Sequence, residues 1–71
     1  MRIHDRNDYA YELEQPVDPA TQLRSGWIYR VFHLRPMEVI VQTGEAKSLD
    51  EAEKEAKRVI TRQLQREKRA A

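Results

Sequence analysis

Two-residue alternation of apolar and polar side chains marks the first strand of this chain, in residues 9–14. Tyr9, Tyr11 and Leu13 fall on one side, and Glu12 and Glu14 fall on the other. This period is that of a half-buried β-strand. Two prolines follow, and they predict a long loop over residues 16–26.

A second strand is predicted from Trp27, and a third apolar run ends at Gly44. Neither face of the second strand is fully polar. One side carries Trp27, Tyr29, Val31 and His33, and the other carries Ile28, Arg30, Phe32 and Leu34. Both sides therefore need to be covered.

The turn at Arg35 and Pro36 allows two registers between these strands. A two-residue connection pairs Phe32 with Val39, whereas a three-residue connection pairs Val31 with Val41, and a slip of one residue exchanges the two faces. We favour the second register because it places five apolar residues on one surface. These residues are Trp27, Tyr29, Val31, Val39 and Val41.

A helix is predicted to begin after Ser48, which forms a capping box with Glu51. Residues at three- and four-residue steps then form a narrow stripe that is mostly apolar. The stripe contains Leu49, Ala52, Ala56, Val59, Ile60, Gln63 and Leu64. Helix-forming residues continue beyond Leu64 without a cap, so the last segment is either helical or disordered.

These elements predict an α+β fold, with a three-stranded antiparallel β-sheet meander and one C-terminal α-helix packed on one face (β-β-β-α). We expect residues 1–7 to be a flexible arm, because they show no periodicity. Residues 8–64 are then one domain, and residues 65–71 are a basic C-terminal tail.

Charge is distributed unevenly along the 71 residues, although the formal net charge is only +1. Residues 1–56 carry seven basic and eleven acidic side chains, and residues 57–71 carry six basic side chains and one acidic side chain. The chain has no cysteine, so disulfides and thiolate metal sites are excluded. No apolar run approaches the roughly 18 residues of a membrane span, and we expect a soluble cytoplasmic protein.

Catalytic chemistry has little support in the sequence. Two glycines cannot form a glycine-rich phosphate cradle. His4 and Asp5 lie in the expected arm and Asp8 directly follows it, without the second shell that a metal site needs. His33 could act as a base only if Glu38 oriented it. We therefore predict no enzyme activity, no cofactor, no metal and no small-molecule substrate.

The stretch from Gly44 through Ser48 to Ala52 and Ala56 resembles the junction between the third strand and the final helix of double-stranded RNA-binding domains. This resemblance implies similar packing of the helix on the sheet. That family carries phosphate-gripping lysines where this chain has Leu49 and Asp50.

A wider stretch, from Tyr9 to Leu64, is similar to small, mostly uncharacterised bacterial β-β-β-α proteins. The matching residues are Tyr9, Tyr11, Gly26, Trp27, Val31, Val39–Val41, Gly44, Ser48, Glu51, Ala52 and Ala56. This resemblance implies the fold and no activity.

Our leading hypothesis is a non-catalytic interaction module that forms a homodimer, or binds a protein partner, through an uncovered sheet face or an edge strand. The face residues are Ile28, Arg30, Phe32, Leu34 and Ile40. The alternative is nucleic-acid binding through the basic helix end, with Arg58, Arg62, Arg66, Lys68 and Arg69 on phosphates. A small inhibitor or accessory protein of a phage or mobile element also fits the sequence.

Overall fold

The computed structural model describes residues 2–17, 20 and 26–70. It contains four strands and one helix. They are β1 (Arg2–His4), β2 (Tyr9–Glu14), β3 (Trp27–His33), β4 (Val39–Ala46) and α1 (Leu49–Ala70). Most of the loop predicted between β2 and β3 lies outside the described residues.

The strands form one antiparallel sheet in the order β1-β2-β3-β4, so the prediction of three strands is wrong. The additional strand is β1, in the segment that we expected to be a flexible arm. It pairs with β2, from Arg2 opposite Glu12 to His4 opposite Ala10. Three residues are too few to show a period, and the pairing depends on a tight turn that brings them back to β2.

That turn contains Asn7, which has a φ of 54°. Asparagine enters this left-handed region more readily than most residues. Two backbone hydrogen bonds close the turn: Asp5 N donates to Tyr9 O, and Tyr9 N donates to Arg6 O, both at 3.0 Å. The path of the chain through the turn aligns β1 with β2.

The pairing of β3 with β4 changes register at a bulge between Val31 and Phe32. On the turn side of the bulge, Phe32 pairs with Ile40, as in the register that we favoured. Beyond the bulge Val31 pairs with Gln42, so the predicted pair of Val31 with Val41 does not form. An extra residue in one strand of a pair shifts every later partner by one position.

The helix packs on the face that we expected it to cover. The buried core joins three tyrosines and one valine of the sheet to four small or aliphatic residues of α1. These are Tyr9, Tyr11, Tyr29 and Val31 with Ala52, Ala56, Val59 and Ile60. Trp27 and Val41 pack at the margin of the core, as predicted, whereas Val39 is 46% exposed.

Gly44 lies beneath the ring of Tyr29, its partner across the strands. A Cβ atom at position 44 would lie 2.7 Å from Cε1 of Tyr29, too close for any side chain unless the ring moves. The glycine therefore makes room for a tyrosine that is 5% exposed.

The helix begins as predicted, with Glu51 N donating to Ser48 Oγ at 3.2 Å. The Glu51 carboxylate accepts from Lys47 N at 3.3 Å, one residue before the partner that we expected. The helix continues through Ala70, so the basic segment left open by the sequence is helical as far as that residue. Within the described part of the chain, no helix is long and apolar enough to cross a membrane.

Candidate interaction site

The sheet face opposite the helix carries four of the five residues that we predicted to bind a partner. Ile28, Arg30 and Phe32 lie on β3, and Ile40 lies beside Phe32 on β4. Leu34, the fifth, follows β3, and its N–H donates to Asp8 O at 2.8 Å. The sheet thus brings the residues of one strand and its neighbour onto one surface.

This outer face is not the bare apolar surface that we expected, because β1 covers part of it. The guanidinium carbon of Arg2 lies 4.3 Å from the centroid of the Phe32 ring. Phe32 is only 6% exposed, and Ala10, its partner on β2, is 0% exposed. A cation over an aromatic face is attracted by the ring quadrupole, so Arg2 both shields and holds the ring.

Two carboxylates hold Arg2 in place. Its Nη2 atom lies 3.1 Å from Glu12 Oε1 and also forms an ion pair with Glu38. The hydrogen bond to Glu38 is the largest influence on the pKa of Arg2 and raises it, and Glu12 adds to the rise. Arg30 is paired with Glu14 at 2.8 Å. Charged pairs therefore occupy the middle of the outer face, and sequence reasoning missed Arg2.

Exposed apolar side chains gather instead where β4 begins. Met37 is 70% exposed, Val39 46% and Ile40 58%. We call these three residues the edge patch. Because β4 is the last strand in the sheet order, its outer side has no strand neighbour among the described residues. Such an edge offers backbone hydrogen-bonding groups to another chain.

Four arginines follow one flank of α1, at residues 58, 62, 66 and 69. We call them the arginine stripe, because steps of four, four and three residues keep them within about 80° of arc on an α-helix. All four are exposed. The flank faces the β4 side, since Arg58 lines a shallow groove with Glu45 and Ala46 of β4.

The opposite flank of α1 is tied to the β1–β2 turn. Arg6 Nη2 donates to Thr61 Oγ1 at 2.7 Å, and the Tyr9 hydroxyl donates to Glu67 Oε1 at 2.8 Å. Burial, with a further contribution from the Glu67 carboxylate, raises the pKa of Tyr9 to about 12. Lys68, the fifth predicted cation, lines an open groove on this flank beside Arg6. The basic residues therefore do not form one surface.

The histidine considered as a base is not placed for that role. His33 packs against the ring of Tyr9, with 4.7 Å between ring centroids. Glu38, which would have to orient it, is paired with Arg2. Among residues 2–17, 20 and 26–70, no group of three or more histidines and carboxylates is placed to hold a metal ion.

No protein-family model, no curated protein and no solved structure matches this chain. The resemblances to double-stranded RNA-binding domains and to small bacterial β-β-β-α proteins therefore stay predictions.

Proposed function

We propose that the protein is a non-catalytic interaction module that forms a homodimer by pairing β4 of one copy with β4 of another. The observation that carries this proposal is the edge patch on an edge strand. Met37 lies just before β4, Val39 and Ile40 are the first two residues of β4, and all three side chains are exposed. An edge strand with exposed apolar side chains is a ready template for pairing with a second chain.

The edge of β4 is a better interface than the outer sheet face as a whole. Phe32 is already covered by Arg2, and Arg30 is already paired with Glu14. Burying these charged pairs beneath a partner would cost desolvation free energy. Ile40 and Val39 have no comparable cover and gain from burial.

A twofold axis near Ile40 brings the two edge patches into contact. Dimers of identical chains usually close around such an axis, with the same surface on both copies. The antiparallel pair of β4 strands then extends the four-stranded sheet into a sheet of eight strands. A chain of 71 residues buries only a modest core, so association adds stability that the monomer lacks.

The test is the oligomeric state of two matched variants, measured by sedimentation velocity at tens of micromolar. Ile40→Glu puts two carboxylates at the twofold axis, and we expect this variant to be monomeric with an unchanged circular dichroism spectrum. Leu49→Glu is the control, because Leu49 is 43% exposed but lies at the start of α1. We expect this variant to stay dimeric.

Two results would overturn the proposal. One is a wild-type chain that sediments as a monomer at 100 µM, and the other is an Ile40→Glu variant that remains dimeric. Loss of the dimer in both variants would also contradict an interface formed by the β4 strands alone, since it would show that the interface includes the start of the helix.

A further inference from the structure

We propose that the arginine stripe of α1 binds the phosphate backbone of double-stranded nucleic acid without reading its sequence. The inference does not depend on the dimer, because it rests on the flank of the helix and not on the edge of β4. Arginine recognises phosphate by bidentate hydrogen bonds as well as by charge.

The first observation is that the stripe has little charge compensation within the protein. Of the four arginines of the stripe, only Arg58 has an ion pair within the described part of the chain. Its partner is Glu55, at 2.8 Å. The acidic residues of α1 lie mainly in its first two turns, and Glu67, the one acid near the end, accepts from Tyr9 on the other flank. Arg62, Arg66 and Arg69 therefore keep their hydrogen-bonding capacity for a ligand.

The second observation is that the helix dipole explains only part of the stripe. Cations stabilise a helix within its last turn, and this effect accounts for Lys68 and Arg69. Arg62 and Arg58 lie about two and three turns before the end, where the dipole no longer acts. Arg58 has Glu55 as its partner, but no ion pair in the described part of the chain accounts for Arg62, and a polyanionic ligand supplies a reason for its position.

The spacing fits a nucleic-acid backbone. Residues four apart rise about 6 Å along a helix, so the stripe spans about 16 Å. A duplex presents one phosphate per 3.4 Å on each strand, so every arginine of the stripe has a phosphate within reach. Contacts to phosphates fix position and carry no sequence information.

The polarity of the helix around the arginine stripe argues against a membrane surface as its ligand. A helix that lies on a bilayer needs an apolar face to insert beside its cations. Beyond Leu64 the helix carries only polar and charged side chains up to Arg69. Ala52, Ala56, Val59 and Ile60 are buried against the sheet and are not available for insertion.

The experiment measures binding to a 20-bp DNA duplex, to an RNA duplex of the same sequence and to a scrambled DNA duplex, from 50 to 200 mM salt. Three phosphate contacts, from Arg62, Arg66 and Arg69, predict a slope of about −2.7 in log K against log[salt], which is a loss of about 40-fold over this range. For the double variant Arg62→Gln/Arg66→Gln we expect a slope of about −0.9 and a loss of about 3.5-fold. The scrambled duplex should bind like the original.

The matched control is Lys47→Gln/Lys57→Gln, which removes the same net charge from two exposed lysines outside the arginine stripe, one of them already paired with Glu53. We expect its salt slope to equal that of the wild type. Equal slopes for both double variants would overturn the proposal in favour of general charge attraction. No binding to either duplex at 50 mM salt, or tighter binding to poly-glutamate or to anionic vesicles than to the duplexes, would also overturn it.

Discussion

At the residue scale, Tyr9 connects the sheet to the second half of the helix through its phenol group. Its side chain is 4% exposed, its ring lies against His33, and its hydroxyl donates to Glu67. A buried phenol that donates to a carboxylate resists ionisation, because the phenolate would be poorly solvated and would repel Glu67. The ionisation of Tyr9 therefore makes the stability of the native state depend on pH in the alkaline range.

We predict that Tyr9 destabilises the native protein as the pH rises from 10 to 12. Its pKa is about 12 in the native state, above the ordinary value of 10, so the unfolded chain loses its proton first. The stabilising contribution is complete below pH 10 and is lost between the two values. By pH 11.5 the wild type should have lost about 2 kcal/mol from this group alone.

Urea unfolding followed by the fluorescence of Trp27 measures this effect at pH 9 and pH 11.5. At pH 9, Tyr9→Phe should be less stable than the wild type by about 1 kcal/mol, because it lacks the hydrogen bond to Glu67. At pH 11.5 that order should reverse. Parallel loss of stability in the two proteins would show that Tyr9 titrates with an ordinary pKa.

At the element scale, β1 is a short strand with two contributions to the fold. Ile3 packs against the buried core on the helix side, and Arg2 covers Phe32 on the outer side. Alternate residues of a strand point to opposite faces, so even three residues contribute to both surfaces. A strand of three residues is stabilised by contacts with neighbouring elements and not by the intrinsic β-propensity of its residues.

We predict that removing residues 1–4 destabilises the domain by about 2 kcal/mol, because Ile3 leaves the core and Phe32 becomes exposed. The midpoint of urea unfolding measures the loss, and binding of the dye ANS reports the newly exposed ring. Arg2→Ala, which keeps Ile3, should lose only a part of this stability, because it removes the cation over Phe32 and leaves the core intact. An unchanged midpoint after the deletion would mean that β1 does not contribute to stability.

At the scale of the whole molecule, two potential interaction surfaces lie toward the same side. The edge patch lies at the start of β4 and just before it, and the arginine stripe runs along the flank of α1 that faces β4. The molecule is elongated, at 49 × 22 × 15 Å, because a helix of 22 residues is longer than the strands it covers. The C-terminal end of α1 therefore carries charged side chains without weakening the core.

We predict that the thermal midpoint of the wild type rises by several degrees when the concentration rises from 5 to 500 µM. Dissociation into two chains accompanies unfolding of a dimer, so mass action favours the native state at high concentration. The Ile40→Glu variant should unfold at one temperature throughout this range. Scanning calorimetry at three concentrations tests both statements, and a wild-type midpoint independent of concentration would contradict the dimer.

Local patterns predicted the elements whose signals are complete within a few residues. The strand Tyr9–Glu14 has a clear alternation, and the helix start has both members of its capping box. The prediction of three strands failed at β1, where Arg2, Ile3 and His4 are too few to show a period. Ile40 of the edge patch was among the predicted partner-binding residues, but Met37 and Val39 were missed, since their exposure depends on strand order and on where the helix ends.

The sequence by itself determined the α+β class and the helix with its cap, because periodicity and capping are local properties. It allowed two registers of the hairpin, so it did not decide which sheet face the helix covers. Only the tertiary structure decided the fourth strand, the bulge between Val31 and Phe32, and the cover that Arg2 provides for the outer face. These features depend on contacts between residues far apart in the chain. Arg2 and Phe32 are thirty positions apart, and no local pattern relates them.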